Sequence, residues 1–448
     1  MSTSSRVVAE FAANLQFEDI PAEVIRRCED LLLDTLGSIY AGSTEPPVQK
    51  IAAFAAEQGP ADGSAQLIPS GKKTSPYFAA MVNAAAAHMV EQDDLHNSSV
   101  FHPACVVFPP AIAVAQDVGA SGKELLTACV VGYEVGIRVG EFLGRSHYKI
   151  FHTTATAGTI AAAVTVGRLL GLTTEQMQDA LGSAGTQAAG LWEFLKTAAD
   201  SKQLHTAKAA ANGLMAASLA AKGFSGAEDI FEGEKGMGNA FSQSPRADKL
   251  VESFGERWAL LETSFKYHAS CRHTHPAADA LWKVMQENDV KAEEVAEVKT
   301  FVHQAAIDVL GAVDKPQSVH QSKFSMGTVL GVLAYNGFAG LDEFEHALGD
   351  ERIDAFRQKV SMTLDPEIDG AYPKKWLGKV KVKTNDGREF DAFVNDPKGD
   401  PGNTLSRDEI EAKVKRLVAY NDAGSETDAE KVIAWTWGLE NGSSELPL

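Results

Sequence analysis

The sequence contains few cysteines, and nothing in their spacing pairs them. Four are spread over 448 residues without a CxxC pair: Cys28, Cys105, Cys129 and Cys271. The first ten residues also lack the apolar core of a secretory leader. Because disulfide scaffolds belong to oxidising compartments, this composition leads us to expect a cytoplasmic protein with reduced thiols.

Positive charge and long apolar runs are also scarce. The chain has 41 Lys and Arg against 60 Asp and Glu, which gives a formal net charge of −19. A nucleic-acid-binding protein needs a basic face, so we expect no nucleic-acid partner. The longest apolar runs, such as residues 78–90, are short and rich in alanine. They do not suit a bilayer span, so we expect no membrane partner either.

Several familiar catalytic motifs are missing. The sequence has no Walker motif, no G-x-S-x-G and no H-E-x-x-H. The glycines between Gly132 and Gly140 follow no predicted strand, so they do not support a dinucleotide fold. Phosphoryl transfer, serine-nucleophile chemistry and nicotinamide redox chemistry are therefore unsupported.

What the chain does contain is helix after helix over its first 250 residues. Ser121 and Glu124 form a predicted capping box, and the small-residue segment from Thr153 to Leu170 predicts a central, buried helix. Later segments alternate with period two, as strands do, at 295–302, 379–384 and 388–394. Asn385 to Gly387 predicts the hairpin turn. Further helices are predicted at 208–221, at 322–335, at 341–348 and from residue 406 onwards.

This order predicts a mainly α protein with an inserted α/β domain. We place a large helical domain at residues 1–265 and 404–448, and a smaller α/β domain at 266–403. A chain of 448 residues exceeds the usual size of a single core, which favours two domains. Clefts between domains are preferred ligand sites, and the polar segment 266–275 falls close to the predicted boundary.

Segment 266–275 is the densest polar cluster in the sequence. It carries two fixed cations and three imidazoles in ten residues. If it were extended, Cys271, His273 and His275 would share one face and could hold zinc. A polar loop between domains is a second interpretation. The third is an active site in which Lys266 and Arg272 hold carboxylates while a histidine moves protons.

Three further segments carry candidate groups. Residues 91–103 contain Asp93 and Asp94 followed by His102, a pattern that serves acid/base chemistry or merely solvates a helix end. His152 precedes a small-residue helix that Thr153 or Thr154 could cap, and helix N-termini attract anions. Lys208 is placed at the start of another small-residue helix, where a solvated lysine would be the ordinary interpretation.

Taken in order, these segments resemble the MmgE/PrpD family, which includes 2-methylcitrate dehydratases, cis-aconitate decarboxylases and iminodisuccinate epimerase. The resemblance covers most of the chain. It rests on Asp93-Asp94 with His102-Pro103, on 151–159, on 204–213 with 223–226, on Lys266-Tyr-His with His275-Pro, and on Lys323-Phe-Ser325.

The resemblance implies a helical domain with a smaller α/β lid, a homodimer, and no metal or organic cofactor. It also implies a di- or tricarboxylate substrate that loses a proton from the carbon next to a carboxylate. The family's acidic loop falls on 91–94, its histidines on His102 and His152, and its lysines on Lys208 and Lys266.

Two departures from the family pattern favour one activity. The lyases of the family tend to have Asp-x-Asp-Asp-Thr where this chain has Glu91-Gln-Asp-Asp-Leu95, and a later histidine position holds Cys271. Both changes alter proton delivery, so we expect an epimerase acting on a dicarboxylate such as iminodisuccinate. A lyase of the same family and a non-catalytic carboxylate-binding protein are the alternatives.

The predicted site has two groups of residues. The substrate-binding group consists of Lys208, Lys266 and Arg272, which would stabilise negative charge on the substrate. The acid/base group consists of Asp93, His102, His152, Tyr267 and His273, with Cys271 as a second base if cations lower the pKa of its thiol.

Overall fold

A computed structural model of the chain describes residues 3–197 and 199–448. The chain divides into two compact units, Met1–Thr263 with Ser406–Leu448, and Ser264–Leu405. The protein is mostly helical with small sheets, as the sequence predicts. Within the described residues, no helix is both long enough and apolar enough to cross a membrane.

The first unit is built from helices with short strands between them. Its strands are β1 Ala65–Gln66, β2 Lys73–Thr74 and β3 Leu95–His96, and the two residues of β4, Thr263–Ser264, fall on either side of the unit boundary. Its helices up to residue 250 are α1 Ser4–Asn14, α2 Ala22–Ser43, α3 Pro46–Gln58, α4 Pro76–Met89, α5 Ala104–Val118, α6 Gly122–Tyr148, α7 Thr153–Leu169, α8 Thr174–Gly185, α9 Ser201–Ala220, α10 Met237–Phe241 and α11 Ala247–Leu250.

Helix α7 lies at the centre of the first unit, as its small residues predict. Residues 153–167 are all buried, and the helix packs against α5, α6 and α9. Gly213 of α9 shows why small residues are needed, because a Cβ there would lie 2.6 Å from the carbonyl oxygen of Thr159. The close approach of α7 and α9 fixes the relative positions of the side chains at their N-terminal ends.

The second unit pairs a four-stranded sheet with helices. The strands β5 Val295–Val302, β6 Val360–Leu364, β7 Gly378–Thr384 and β8 Glu389–Val394 lie in the order β6-β5-β7-β8, with only β5 and β6 parallel. The helices are α12 His275–Asn288, α13 Gln304–Leu310, α14 Val319–Ser322, α15 Met326–Asn336, α16 Leu341–Glu345, α17 Glu351–Arg357 and α18 Pro366–Ala371. Two more helices, α19 Arg407–Ala419 and α20 Glu426–Gly438, belong to the first unit.

Several local predictions are confirmed. Ser121 and Glu124 form a capping box at the start of α6. The strand predicted at 295–302 is β5, and the predicted hairpin joins β7 to β8 with the Gly387 N–H bonded to the Thr384 carbonyl. Period-two alternation is visible in β7, where Val380 and Val382 are buried while Lys381 is exposed.

Other local predictions are wrong. The helix predicted at 322–335 begins later, as α15 at Met326, because Ser325 caps that start, and Ser322 ends the separate helix α14. The helix predicted at 341–348 ends at Glu345. Helix α9 begins at Ser201, so Lys208 lies in its interior and not at its start. Neither Thr153 nor Thr154 is the N-cap of α7, because that position is occupied by His152.

Candidate active site

A buried aspartate joins two histidines in the first unit. His88 is in the last turn of α4, Asp93 is in the following loop, and His102 lies just before α5. The Asp93 Oδ2 atom is 2.6 Å from His88 Nδ1 and 3.4 Å from His102 Nδ1. Burial opposes ionisation of Asp93, but the two imidazoles hold the pKa of its carboxyl well below the usual range. The site therefore contains a buried carboxylate that orients two rings.

The hydrogen bonds determine which ring nitrogens carry hydrogen. His102 Nδ1 lies 2.5 Å from the carbonyl oxygen of Asp94. Since a carbonyl only accepts, His102 Nδ1 carries the hydrogen, and Nε2 is the basic nitrogen of the neutral ring. Burial lowers the pKa of His88 to about 3, so its neutral ring donates from Nδ1 to Asp93.

Asp94 differs from its neighbour in the direction of its pKa shift. Burial raises the pKa of the Asp94 carboxyl well above its usual value, although the Tyr133 hydroxyl donates to Oδ2 at 2.7 Å and the Ala104 N–H donates to Oδ1 at 3.1 Å. The pKa of the adjacent Asp93 carboxyl, in contrast, lies well below its usual value. Neighbouring carboxyl groups with opposite pKa shifts are typical of acid/base sites.

Two more histidines extend the cluster. His152 stacks on His88 with ring centroids 5.5 Å apart, and its Nδ1 lies 3.2 Å from Nδ1 of His205 in α9. Burial lowers the pKa of His152 well below its usual value and that of His205 to about 4. Both rings are therefore neutral near pH 7. We call His88, Asp93, His102, His152 and His205 the histidine cluster.

A cavity of about 500 Å³ opens beside the histidine cluster. His205, Lys208 and Asn212 of α9 line it, and Gly190 is also part of its lining. The Gly190 carbonyl accepts from the His152 N–H at 3.0 Å, and a Cβ at residue 190 would lie 2.4 Å from that of Ala155. The absence of a side chain at 190 thus lets this segment approach the histidines closely.

Two buried lysines hold the loop that carries Asp93. Lys202, in the first turn of α9, forms a buried ion pair with Glu91, whose φ is +60°. Lys413 of α19 donates to the Gln92 carbonyl at 2.8 Å and lies 2.6 Å from the Asp34 carboxylate. A residue with positive φ other than glycine is strained, so these contacts help to keep the loop in place.

The polar cluster at 266–275 belongs to the second unit, and all of its residues except Tyr267 are buried. Arg272 forms an ion pair with Asp400, which also accepts from the Ser264 hydroxyl. Arg272 Nη1 donates to His275 Nδ1 at 3.1 Å, so His275 carries its hydrogen on Nε2. Burial lowers the pKa of His275 well below its usual value. The Arg272 guanidinium is therefore held by contacts with Asp400 and His275.

The extended zinc geometry considered for this segment is wrong. Residues 272–274 form a 3-10 turn and α12 begins at His275, so Cys271, His273 and His275 do not share a strand face. His273 instead stacks on Trp376 with centroids 4.9 Å apart and packs near His303. Burial lowers the pKa of His273 well below its usual value.

Of the remaining predicted residues of this unit, Lys266 and Cys271 are buried and Tyr267 is partly buried. Lys266 is 1% exposed and Cys271 is 8% exposed. The Tyr267 ring lies edge-on against His268 and Phe338. Of the nine predicted site residues, four belong to the first unit and five to the second, and the catalytic role of each stays a prediction.

Two sets of side chains in the described residues have metal-ligand spacing. His88, Asp93 and Cys105 offer ligand atoms within 4.8 Å of one another, as do His96, Glu141 and Glu262. Burial raises the pKa of the Cys105 thiol well above its usual value, so the first set lacks a thiolate.

The second set fits a metal poorly as well. The Arg257 guanidinium binds Glu141 at 2.8 Å and Glu262 at 2.7 Å, so both carboxylates are already engaged in ion pairs. Hydrogen-bonded networks describe both sets better than metal centres.

The sequence interpretation missed three residues of the first unit. His88 sits in an alanine-rich run, His205 lies three residues before Lys208, and Lys202 is three residues before His205. The spacing of Lys202, His205 and Lys208 along one helix was the available signal. That spacing predicts one shared helix face only if the helix is known to begin at Ser201, and the sequence interpretation placed its start at Lys208.

The fold and the histidine cluster together define a class: a mainly helical protein with a smaller α/β unit and a buried histidine–carboxylate site. Residues 6–249 match the MmgE/PrpD N-terminal domain, and residues 268–439 match the MmgE/PrpD C-terminal domain. The chain belongs to the MmgE/PrpD family, as the sequence motifs predict.

Characterised relatives cover nearly the whole chain. The chain is similar to the cis-aconitate decarboxylase of Aspergillus terreus, with 27% identity over 95% of this chain and 90% of the relative. It is 28% identical to the cis-aconitate decarboxylase-like protein oryM of Aspergillus oryzae, over 95% and 91% of the two chains. The cis-aconitate decarboxylase of Homo sapiens is 24% identical over 92% of this chain and 85% of the relative.

Proposed function

We propose that this chain is a lyase that acts on a small di- or tricarboxylate of the cis-aconitate type. The observation that carries the proposal is the histidine cluster, in which one buried carboxylate orients His88 and His102 beside the His152–His205 pair. The names of the relatives support the lyase class.

The cluster can supply the proton that such a reaction needs. When CO₂ leaves, the carbon–carbon bond breaks and its electron pair stays on the substrate carbon, which then takes up a proton. A histidine donates that proton and regains one from solvent. The imidazolium exists before the proton is donated, and the ionised Asp93, which lies against two rings, stabilises that positive charge within the cluster.

The cavity supplies a place for the carboxylates. Lys208 lines its wall with Asn212, and Ser201 adds a hydroxyl. An ammonium next to the developing charge lowers the energy of the transition state more than that of the bound acid. Lys208 is therefore our candidate for binding one carboxylate, in agreement with the sequence prediction for this residue.

The epimerase predicted from Leu95 and Cys271 is the less favoured activity. The relatives' names support decarboxylation instead, although both reactions place an electron pair on a carbon next to a carboxylate. Lys266 and Arg272 as substrate ligands, Tyr267, Cys271 and His273 as acid/base groups, the homodimer and the cytoplasmic location all stay predictions.

Proton NMR in D₂O tests the proposal. Purified protein is incubated separately with cis-aconitate, 2-methylcitrate and iminodisuccinate. We expect new vinyl or methylene signals from one of the first two acids, and their loss in the Asp93→Asn variant. Interconversion of iminodisuccinate stereoisomers without those signals would contradict the lyase and favour the epimerase. Tight binding without hydrogen exchange would leave a carboxylate-binding protein.

A further inference from the structure

His152 and His205 form a direct imidazole–imidazole contact. Their Nδ1 atoms are 3.2 Å apart, and both rings are neutral near pH 7 because burial lowers the pKa of each. Two neutral imidazoles can hydrogen-bond through these atoms only when one Nδ1 carries a hydrogen and the other does not. The pair therefore shares a single hydrogen.

The surroundings of each ring indicate which of the two histidines must donate the shared hydrogen if the pair is to serve catalysis. His152 is the N-cap residue of α7, where the positive end of the helix disfavours an imidazolium. His205 lines the cavity together with Lys208, which lies one turn further along α9. Only when His205 is the donor can its Nε2 take up a proton without breaking the contact with His152.

We propose that His205 is a catalytic residue that exchanges a proton with the cavity-bound acid through Nε2, and that His152 is the residue that positions it. This inference rests on the proposed function and identifies the member of the histidine cluster that meets the substrate. In the forward step, the Nε2–H bond breaks and the proton moves to the substrate carbon, whose electron pair forms the new C–H bond.

The contact with His152 persists through this step. At rest the His205 ring is neutral with a bare Nε2, which takes up a proton from solvent before the step. When Nε2 gives that proton to the substrate carbon, the ring returns to the neutral form with Nδ1–H still donated to His152. Phe194 packs edge-on against the His205 ring with centroids 5.4 Å apart, which limits its rotation. The ring is thus held from two sides, and we assign Nε2 to the cavity that His205 lines.

The first test determines directly which ring nitrogen of His205 carries hydrogen. In the full-length protein labelled with ¹⁵N-histidine, the chemical shifts of the His205 nitrogens distinguish Nδ1–H from Nε2–H. We expect Nδ1–H and a bare Nε2 near pH 7, and assign the signals by their loss in His205→Asn. A bare Nδ1 with Nε2–H would overturn the inference whatever the enzyme's activity.

The second test separates catalysis from structure. Asparagine retains a polar group near Nδ1 but has none near Nε2, so we expect His205→Asn to keep KM within about threefold and to lose about 100-fold or more in kcat. His346→Asn, at an exposed position of the second unit, is the matched control and should retain wild-type kcat. His205→Gln, which extends an amide towards the Nε2 position, checks the result if the asparagine variant folds poorly.

The outcomes separate this inference from the proposed function. If the wild-type protein transforms none of the three acids, both the proposed function and the catalytic role of His205 are wrong. If the wild type is active and the His205→Asn variant is equally active, the proposed function stands and only the catalytic role of His205 is wrong.

Discussion

The buried ion pair between Lys202 and Glu91 gives a quantitative test of how the Asp93 loop is held. The two side chains are only 7% and 3% exposed. In Lys202→Met the apolar stem remains, but the Glu91 carboxylate loses this cation while it stays buried. Removing one partner of a buried pair typically costs about 3–5 kcal/mol. We expect the free energy of unfolding to fall by that amount, measured by urea denaturation followed by circular dichroism.

A double-mutant cycle shows whether the loss comes from the pair itself. If it does, Lys202→Met combined with Glu91→Gln should be more stable than Lys202→Met alone, because no carboxylate is then left buried. Lys50→Met is the matched control, since the Lys50–Asp200 pair is 70% and 54% exposed and should contribute at most about 1 kcal/mol. The reasoning is refuted if Lys202→Met costs no more than Lys50→Met.

Three further outcomes are expected. Lys208→Met should raise the KM of the carboxylate substrate about tenfold, or about 1.4 kcal/mol, in steady-state kinetics, whereas exposed Lys222→Met should leave it unchanged. Arg272→Met should lower the unfolding free energy by about 3–5 kcal/mol in calorimetry, because Asp400 loses its buried guanidinium partner, and an unchanged melting temperature would contradict this. Burial lowers the pKa of His147 to about 4, so the unfolded state binds an extra proton between that value and about 6.5, and stability is lost as the pH falls through this window. Between pH 7 and 5 the wild type should lose about 2 kcal/mol more than His147→Gln in denaturant titrations, and parallel pH profiles would contradict the assignment.

Local patterns in the sequence predicted most of the fold. The capping box at Ser121, the alternation of β7 and the turn at Gly387 depend on neighbours within a few residues, and all three are confirmed. The small-residue helix α7 was also recognisable, because only close packing explains so many alanines and glycines in one segment. Features of this kind are determined by residues that lie close to them in the sequence, so they can be predicted locally.

The site was harder to predict, because its members come from four separate segments. Asp93, His102 and His152 were recognised from family motifs, and the structure brings them together. His88 and His205 were missed, since a lone histidine in an alanine-rich helix has no local signature. The segment at Cys271 was given an extended alternative that is wrong, although Pro276 in the first turn of α12 was a helix signal that could have excluded it.

The net charge of −19 opposes the binding of the anionic substrate that we propose, but the pairing of charges in the first unit reduces this opposition. Surface charges are screened within about 8 Å at physiological ionic strength, so the total charge has little effect inside a cavity. Glu193 on the cavity wall is paired with Lys196 at 2.7 Å, and the Glu91 carboxylate is paired with Lys202. The neighbouring histidines are neutral, which leaves Lys208 as the charge that a bound carboxylate would meet on this face of α9. Neutral histidines also suit proton exchange, because each has a ring nitrogen that can accept a proton.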